Sequence, residues 1–129
     1  MAIPSRCLAN HEGTIQRGID NEGVLPSSIK LARRASSHYT KALNQHGTIK
    51  SIGLLFAFAL AVSEENAAGG RIVTAPTCGS SGVLPEALFY LSRDEHLNET
   101  KILRGLATAG LIANLVKTNA SISGAEVGC

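Results

Sequence analysis

The chain has 129 residues and a formal charge of +2, with hydrophobic residues at 44%, charged residues at 17% and aromatics at 4%. That length suits one domain rather than several, the apolar share excludes a disordered tail, and so small a charge does not point to nucleic acid. With no tryptophan and few aromatics, Ala, Leu, Ile and Gly must fill the interior, which favours close helix packing over a β-sandwich.

Five helices are expected in chain order. Over residues 4–20, Ile3, Cys7, Ile15 and Ile19 recur at four-residue steps with His11 between them, the apolar stripe of an amphipathic helix. Asn21-Glu22-Gly23 ends it, and Pro26-Ser27-Ser28 signals the next start. Leu31, Ala35, Tyr39 and Leu43 carry that second helix to Gly47, a glycine suited to the left-handed conformation that stops a helix. From Ile49 to about Ala68 the apolar face is nearly all-round. The unbroken apolar run within it, Ile52 to Val62, is too short for a membrane span of roughly 20 residues, so this is the expected central core helix, closed by Gly69-Gly70.

Arg71-Ile72-Val73-Thr74 is short and rich in β-branched residues and reads as extended chain before Pro76. A small-residue loop follows over residues 74–82. Pro85 suits the first turn of a helix running to about Ser92, and Arg93 to Leu97 is a charged link. Asn98 can cap a last helix with the stripe Ile102, Leu106, Gly110 or Ala109, and Ala113, ending near Lys117. The fold class is therefore all-α: a compact bundle of about five helices with two Gly/Ser/Thr-rich loops, the second spanning residues 119–129.

The charge is uneven, with seven Lys/Arg against three Asp/Glu in residues 1–50, which marks a solvated helix face rather than a nucleic-acid surface. Three cysteines, Cys7, Cys78 and Cys129, are too few for a disulfide scaffold and point to a reducing compartment. The start of the chain lacks a charged segment followed by a long apolar stretch, so no export signal is read and a cytoplasmic location is expected.

Chemistry concentrates in the two loops. The run Thr74-Ala75-Pro76-Thr77-Cys78-Gly79-Ser80-Ser81-Gly82 sets four hydroxyls, those of Thr74, Thr77, Ser80 and Ser81, and a thiol just before a helix start. Backbone N–H groups freed by glycine, together with a helix N-terminus, make an anion site; a tight helix–helix connection is the other reading. No Lys-Ser or Lys-Thr pair follows the second glycine, so this is not a Walker loop. The second loop, ending Gly124-Ala125-Glu126-Val127-Gly128-Cys129, adds a carboxylate and an open thiol. No CxxC or HExxH spacing is present. Glu64-Glu65-Asn66 can face the first loop or mark where the central helix meets water; His11, His38, His46 and His96 read as surface or partly buried helix residues, and Cys7 as a core thiol.

At these residues the chain resembles a known family. The run Glu64 to Gly82, the tail Asn119 to Cys129 and the segment Asp20-Asn21-Glu22-Gly23-Val24-Leu25-Pro26 are similar to signature segments of the iron–sulfur L-serine dehydratases. The resemblance implies a lyase that converts L-serine to pyruvate and ammonia with a 4Fe-4S cluster and without pyridoxal phosphate; no lysine lies in or beside either loop to form a Schiff base. It also implies that Thr74, Thr77, Ser80, Ser81 and Gly82 form a loop for the substrate carboxylate, that Ser121, Ser123 and Gly124 lie beside the cluster, and that Cys129 is the first cluster cysteine. Cys78 stands where many members carry Asn and is not read as a ligand, and the resemblance assigns no general base. The other cluster cysteines and a smaller α/β domain are absent from residues 1–129, which read as part of the catalytic α domain truncated at the first cluster cysteine. Such a piece is expected to lack the cluster and to be inactive alone, with exposed apolar faces that favour homo-oligomers. The competing reading is a small all-α module that binds an anion without catalysis.

Overall fold

A computed structural model describes residues 2–74 and 81–119. Within them the chain forms five helices and no strand: α1 (Ala2–Asp20), α2 (Ala35–Leu43), α3 (Gly47–Ala67), α4 (Val83–Arg93) and α5 (Glu99–Asn119). The expected all-α bundle is what forms.

α3 is the hub, packing against α1, α2 and α4. Its buried side includes Ala57 together with Leu54, Phe58, Ala61 and Val62; the last four join Ile15 and Ile19 of α1 and Ala35 and Ala42 of α2 in the main core. Close approach is built from small residues. A methyl at Gly18 would run into the Ala61 backbone, and one at Gly53 would sit 2.9 Å from Ala42 Cβ. A second, smaller core joins Leu8 of α1, Leu88 of α4, and Ile102 and Leu106 of α5. Phe58 and Phe89 connect α3 to α4 edge-to-face, with ring centroids 4.8 Å apart, a geometry favoured by the aromatic quadrupole.

α3 ends as its two glycines predict. Gly69 takes φ +76°, while Gly70 N–H donates to the Glu65 carbonyl at 2.8 Å and Gly69 N–H to that of Asn66 at 3.1 Å. This paired pattern is the Schellman stop. Asn98 caps α5 as expected, its Oδ1 accepting from Thr100 N–H at 2.8 Å.

Five expectations are corrected. α2 does not start at Pro26-Ser27-Ser28: residues 21–34 are irregular, with an isolated antiparallel bridge between Val24 and Ala32, Leu25 N–H donating to the Leu31 carbonyl, and Lys30 at φ +48°. Leu31 and Leu43, the ends of the expected stripe, are 46% and 48% exposed. Gly47 does not stop α2, which ends at Leu43; its left-handed φ of +57° instead starts α3. Ile3 leaves the α1 stripe at 76% exposure, and the α5 stripe is buried only at Ile102 and Leu106, with Gly110 exposed, because no described element lies against the later turns. α3 is long and apolar enough by composition to cross a membrane (mean hydropathy 1.4), yet it carries two buried glutamates and half of the main core.

Candidate functional site

The first loop is described at both of its roots. Thr74 closes the segment that leaves α3, and Ser81 and Gly82 lead into α4. Ser81 is 6% exposed. Gly82 is pressed on α3, where an added Cβ would stand 3.0 Å from the Ala59 carbonyl oxygen and 3.5 Å from Ser63 Oγ. Only glycine permits that approach without a shift, so the start of α4 is seated directly on the central helix. Thr77, Cys78 and Ser80 lie outside the described residues, as do Ser121, Ser123, Gly124 and Cys129. The structure therefore brings together Ser81, Gly82 and the α3 surface, with Thr74 on the opposite root.

Both glutamates near the end of α3 are buried rather than marking where the helix meets water; Glu64 turns to α2, while Glu65 stands beside the chain that leaves at Gly70, as one reading of the sequence offered. Glu64 Oε1 accepts from Arg34 N–H at 2.6 Å and Ala35 N–H at 3.2 Å. It caps α2 from 30 residues away, placing a carboxylate at the positive end of that helix. Glu65 accepts from Arg17 Nε and Arg33 Nη1, each at 3.2 Å, and from Asn21 Nδ2 at 3.4 Å. With two guanidiniums on one carboxylate, the buried charge is fully paired, as a charge removed from water must be.

The Arg17 guanidinium also reaches the loop root. Its Nη2 donates to Thr14 Oγ1 at 3.2 Å and to the Arg71 carbonyl at 3.1 Å. Thr14 Oγ1 itself lies 2.9 Å from that carbonyl and 2.7 Å from the Asn10 carbonyl. Sequence reasoning missed Thr14 and Arg17: Thr14 is one residue off the expected Cys7–His11–Ile15 stripe, and nothing local announces a partner 57 residues away. It also missed Glu86 in the first turn of α4, whose carboxyl is held above its ordinary range by burial.

Cys7 is a free, half-buried thiol packed against the smaller core, as expected for a core cysteine. Among the described residues no three His, Cys, Asp or Glu side chains stand close enough to hold a metal ion. The described part of the chain thus does not fit a cluster ligand set, and what it supplies chemically is hydroxyl and backbone donors. A recess of about 590 Å³ between α1 and α4, lined by Glu12, Gln16, Phe89 and Arg93 among others, shares no residue with the hydroxyl loop.

Residues 7–129 match the family model described as serine dehydratase alpha chain. The chain is 46% identical over 122 residues to L-serine dehydratase 2 of Escherichia coli (strain K12), covering 91% of this chain and 27% of that relative. It is 47% identical over 124 residues to an L-serine dehydratase of Haemophilus influenzae, covering 92% of this chain and 27% of the relative. To that of Helicobacter pylori it is 42% identical over 115 residues, covering 84% and 25%. The chain spans about a quarter of the length of these curated relatives.

Proposed function

This chain belongs to the serine dehydratase alpha chain family, and from that premise we propose that it is part of the catalytic α portion of a cytoplasmic lyase that deaminates L-serine to pyruvate and ammonia. The observation that carries the reading is identity above 40%, along nearly the whole chain, to proteins named L-serine dehydratase. In this reading the loop from Thr74 through Thr77, Ser80 and Ser81 to Gly82 receives the substrate carboxylate through hydroxyl and backbone donors. Those neutral donors at the mouth of a helix N-terminus suit an anion. Ser121, Ser123 and Gly124 would stand beside a 4Fe-4S cluster of which Cys129 is one ligand. When bound, such a cluster supplies a Lewis acid for the departing hydroxide, a poor leaving group without a cation.

The work assigned to the described residues is binding and orientation. Glu65, Arg17 and Arg33 hold the end of α3, Gly82 seats α4 on it, and the loop spans the two. In this reading the rest of the cluster ligands and the smaller domain belong to the remaining length of the full protein, and no general base is assigned.

The experiment is an anaerobic assay of pyruvate release from L-serine with the full-length protein, beside residues 1–129 alone after reconstitution with iron and sulfide. Full-length protein is expected to turn over L-serine, and the shorter chain to bind less than stoichiometric iron and sulfide and to release no pyruvate. Absence of serine turnover in iron-loaded full-length protein overturns the assignment. A stoichiometric, active cluster on the short chain overturns its predicted inactivity.

A further inference from the structure

We propose that Thr14 and Arg17 are positioning residues for the substrate, acting through the Arg71 carbonyl to aim the segment that carries Thr74; this rests on the reading of the Thr74–Gly82 loop given above. Residues 71–74 leave α3 without regular structure. No backbone–backbone hydrogen bond among the described residues holds them. Their polar anchors among the described residues are two side chains of α1, both on one carbonyl oxygen, Thr14 Oγ1 at 2.9 Å and Arg17 Nη2 at 3.1 Å, while Ile72 packs against the main core.

The arrangement has a division of labour. The single Thr14 hydroxyl proton can serve either the Asn10 or the Arg71 carbonyl at a given moment, at 2.7 and 2.9 Å. Arg17 supplies a second donor, so the Arg71 oxygen keeps a partner in either state. Arg17 is itself oriented by Glu65, to which its Nε donates at 3.2 Å, and Thr14 is buried at 2% exposure.

The carboxylate that orients Arg17 also limits the chain's exit. At Gly70 an added Cβ would lie 2.8 Å from Glu65 Oε2, so the backbone passes against the same group. Glycine contact, carboxylate, guanidinium and hydroxyl together fix the position and direction of Arg71, three residues before Thr74. The other root is fixed independently, by Gly82 on Ala59. The loop ends are therefore held by two different helices, and the α1 anchor is made of side chains that can be changed without touching the loop.

The test uses full-length, cluster-loaded enzyme carrying Thr14→Val, Thr14→Ser or Arg17→Met, with limited tryptic cleavage after Arg71 and steady-state kinetics measured on each. Thr14→Val is nearly isosteric and removes the hydroxyl donor. It is expected to speed cleavage after Arg71 by about tenfold, because a released segment opens more often, and to raise KM for L-serine by about tenfold while kcat falls far less. Thr14→Ser, which keeps the hydroxyl, restores both, and Arg17→Met reproduces the Thr14→Val pattern should that variant fold poorly. Unchanged cleavage in both Thr14→Val and Arg17→Met overturns the anchor. Faster cleavage with KM unmoved, or kcat and KM failing together without rescue by serine, overturns the positioning role. A wild-type protein that ignores L-serine defeats the functional reading instead, and the cleavage result identifies which of the two has failed.

Discussion

His11 sits on α1 at 3% exposure, and its Nδ1 is buried with no hydrogen-bond partner. A ring nitrogen in that state carries the desolvation cost of an unmade bond, about 1–3 kcal/mol. Burial also holds the imidazole pKa below its ordinary 6.5, because the charged form loses most on leaving water. Between the folded value and 6.5 the unfolded chain binds a proton that the folded chain does not, so stability increases with pH across that window. The contribution is complete above about pH 6.5 and is lost as pH falls through the folded value. His11→Leu is expected to flatten the fall in melting temperature on acidification below pH 6.5 and to leave stability at pH 7.5 equal or higher; a thermal melt series from pH 5 to 8 checks it. An unchanged acid slope would place the sensitivity elsewhere. The sequence put His11 on the right stripe but only partly buried at most, since a stripe gives the direction a side chain faces and not how completely neighbouring helices close over it.

At the scale of the helices, what was legible was whatever depends on near neighbours in the chain. The 3.6-residue period gave α1 and α5, the nearly all-round apolar run gave α3, Pro85 gave the first turn of α4, Gly69-Gly70 gave the stop of α3, and Asn98 gave the start of α5. The start of α2 was misplaced to Pro26 because its real cap, Glu64, comes from another helix. Of the candidate site, the loop was visible as composition, whereas the Thr14–Arg17 anchor spans more than 50 residues and leaves no periodic mark. The capping role yields a graded test. Glu64→Ala removes an ionised acceptor from the Arg34 and Ala35 N–H groups, and hydrogen bonds to charged groups contribute about 1.5–3 kcal/mol each. With cap losses centred near 1 kcal/mol, Glu64→Ala is expected to cost about 2–3 kcal/mol in denaturant unfolding. Glu64→Gln keeps a neutral acceptor and should cost roughly half as much. Equal losses for the two would mean that the site needs volume rather than an acceptor.

For the molecule as a whole, the distribution of apolar surface sets the behaviour of residues 1–129 in isolation. α5 is seated by Ile102 and Leu106, but one turn later Leu111, Ile112, Leu115 and Val116 are exposed at 68%, 57%, 66% and 41%. Ile49, Ile52 and Phe56 of the central helix are at least half exposed as well. Contiguous apolar patches of this kind are uncommon on soluble monomers and drive association. The four α5 residues span 111 to 116, a stripe of adjacent helical turns, so one face of the helix lies bare while its N-terminal half is fixed. Residues 1–129 alone are therefore expected to self-associate as concentration rises, measured by sedimentation or by light scattering on a sizing column. Leu111→Lys with Leu115→Lys should shift that association to higher concentration and reduce binding of a hydrophobic dye. Because both side chains are largely in water already, melting temperature should change little, surface substitutions usually staying within about 0.5 kcal/mol. A doubly substituted chain that associates as strongly as before would move the sticky surface to the Ile49–Phe56 face of α3. A large drop in its melting temperature would mean that the α5 stripe is packed within a single copy rather than bare.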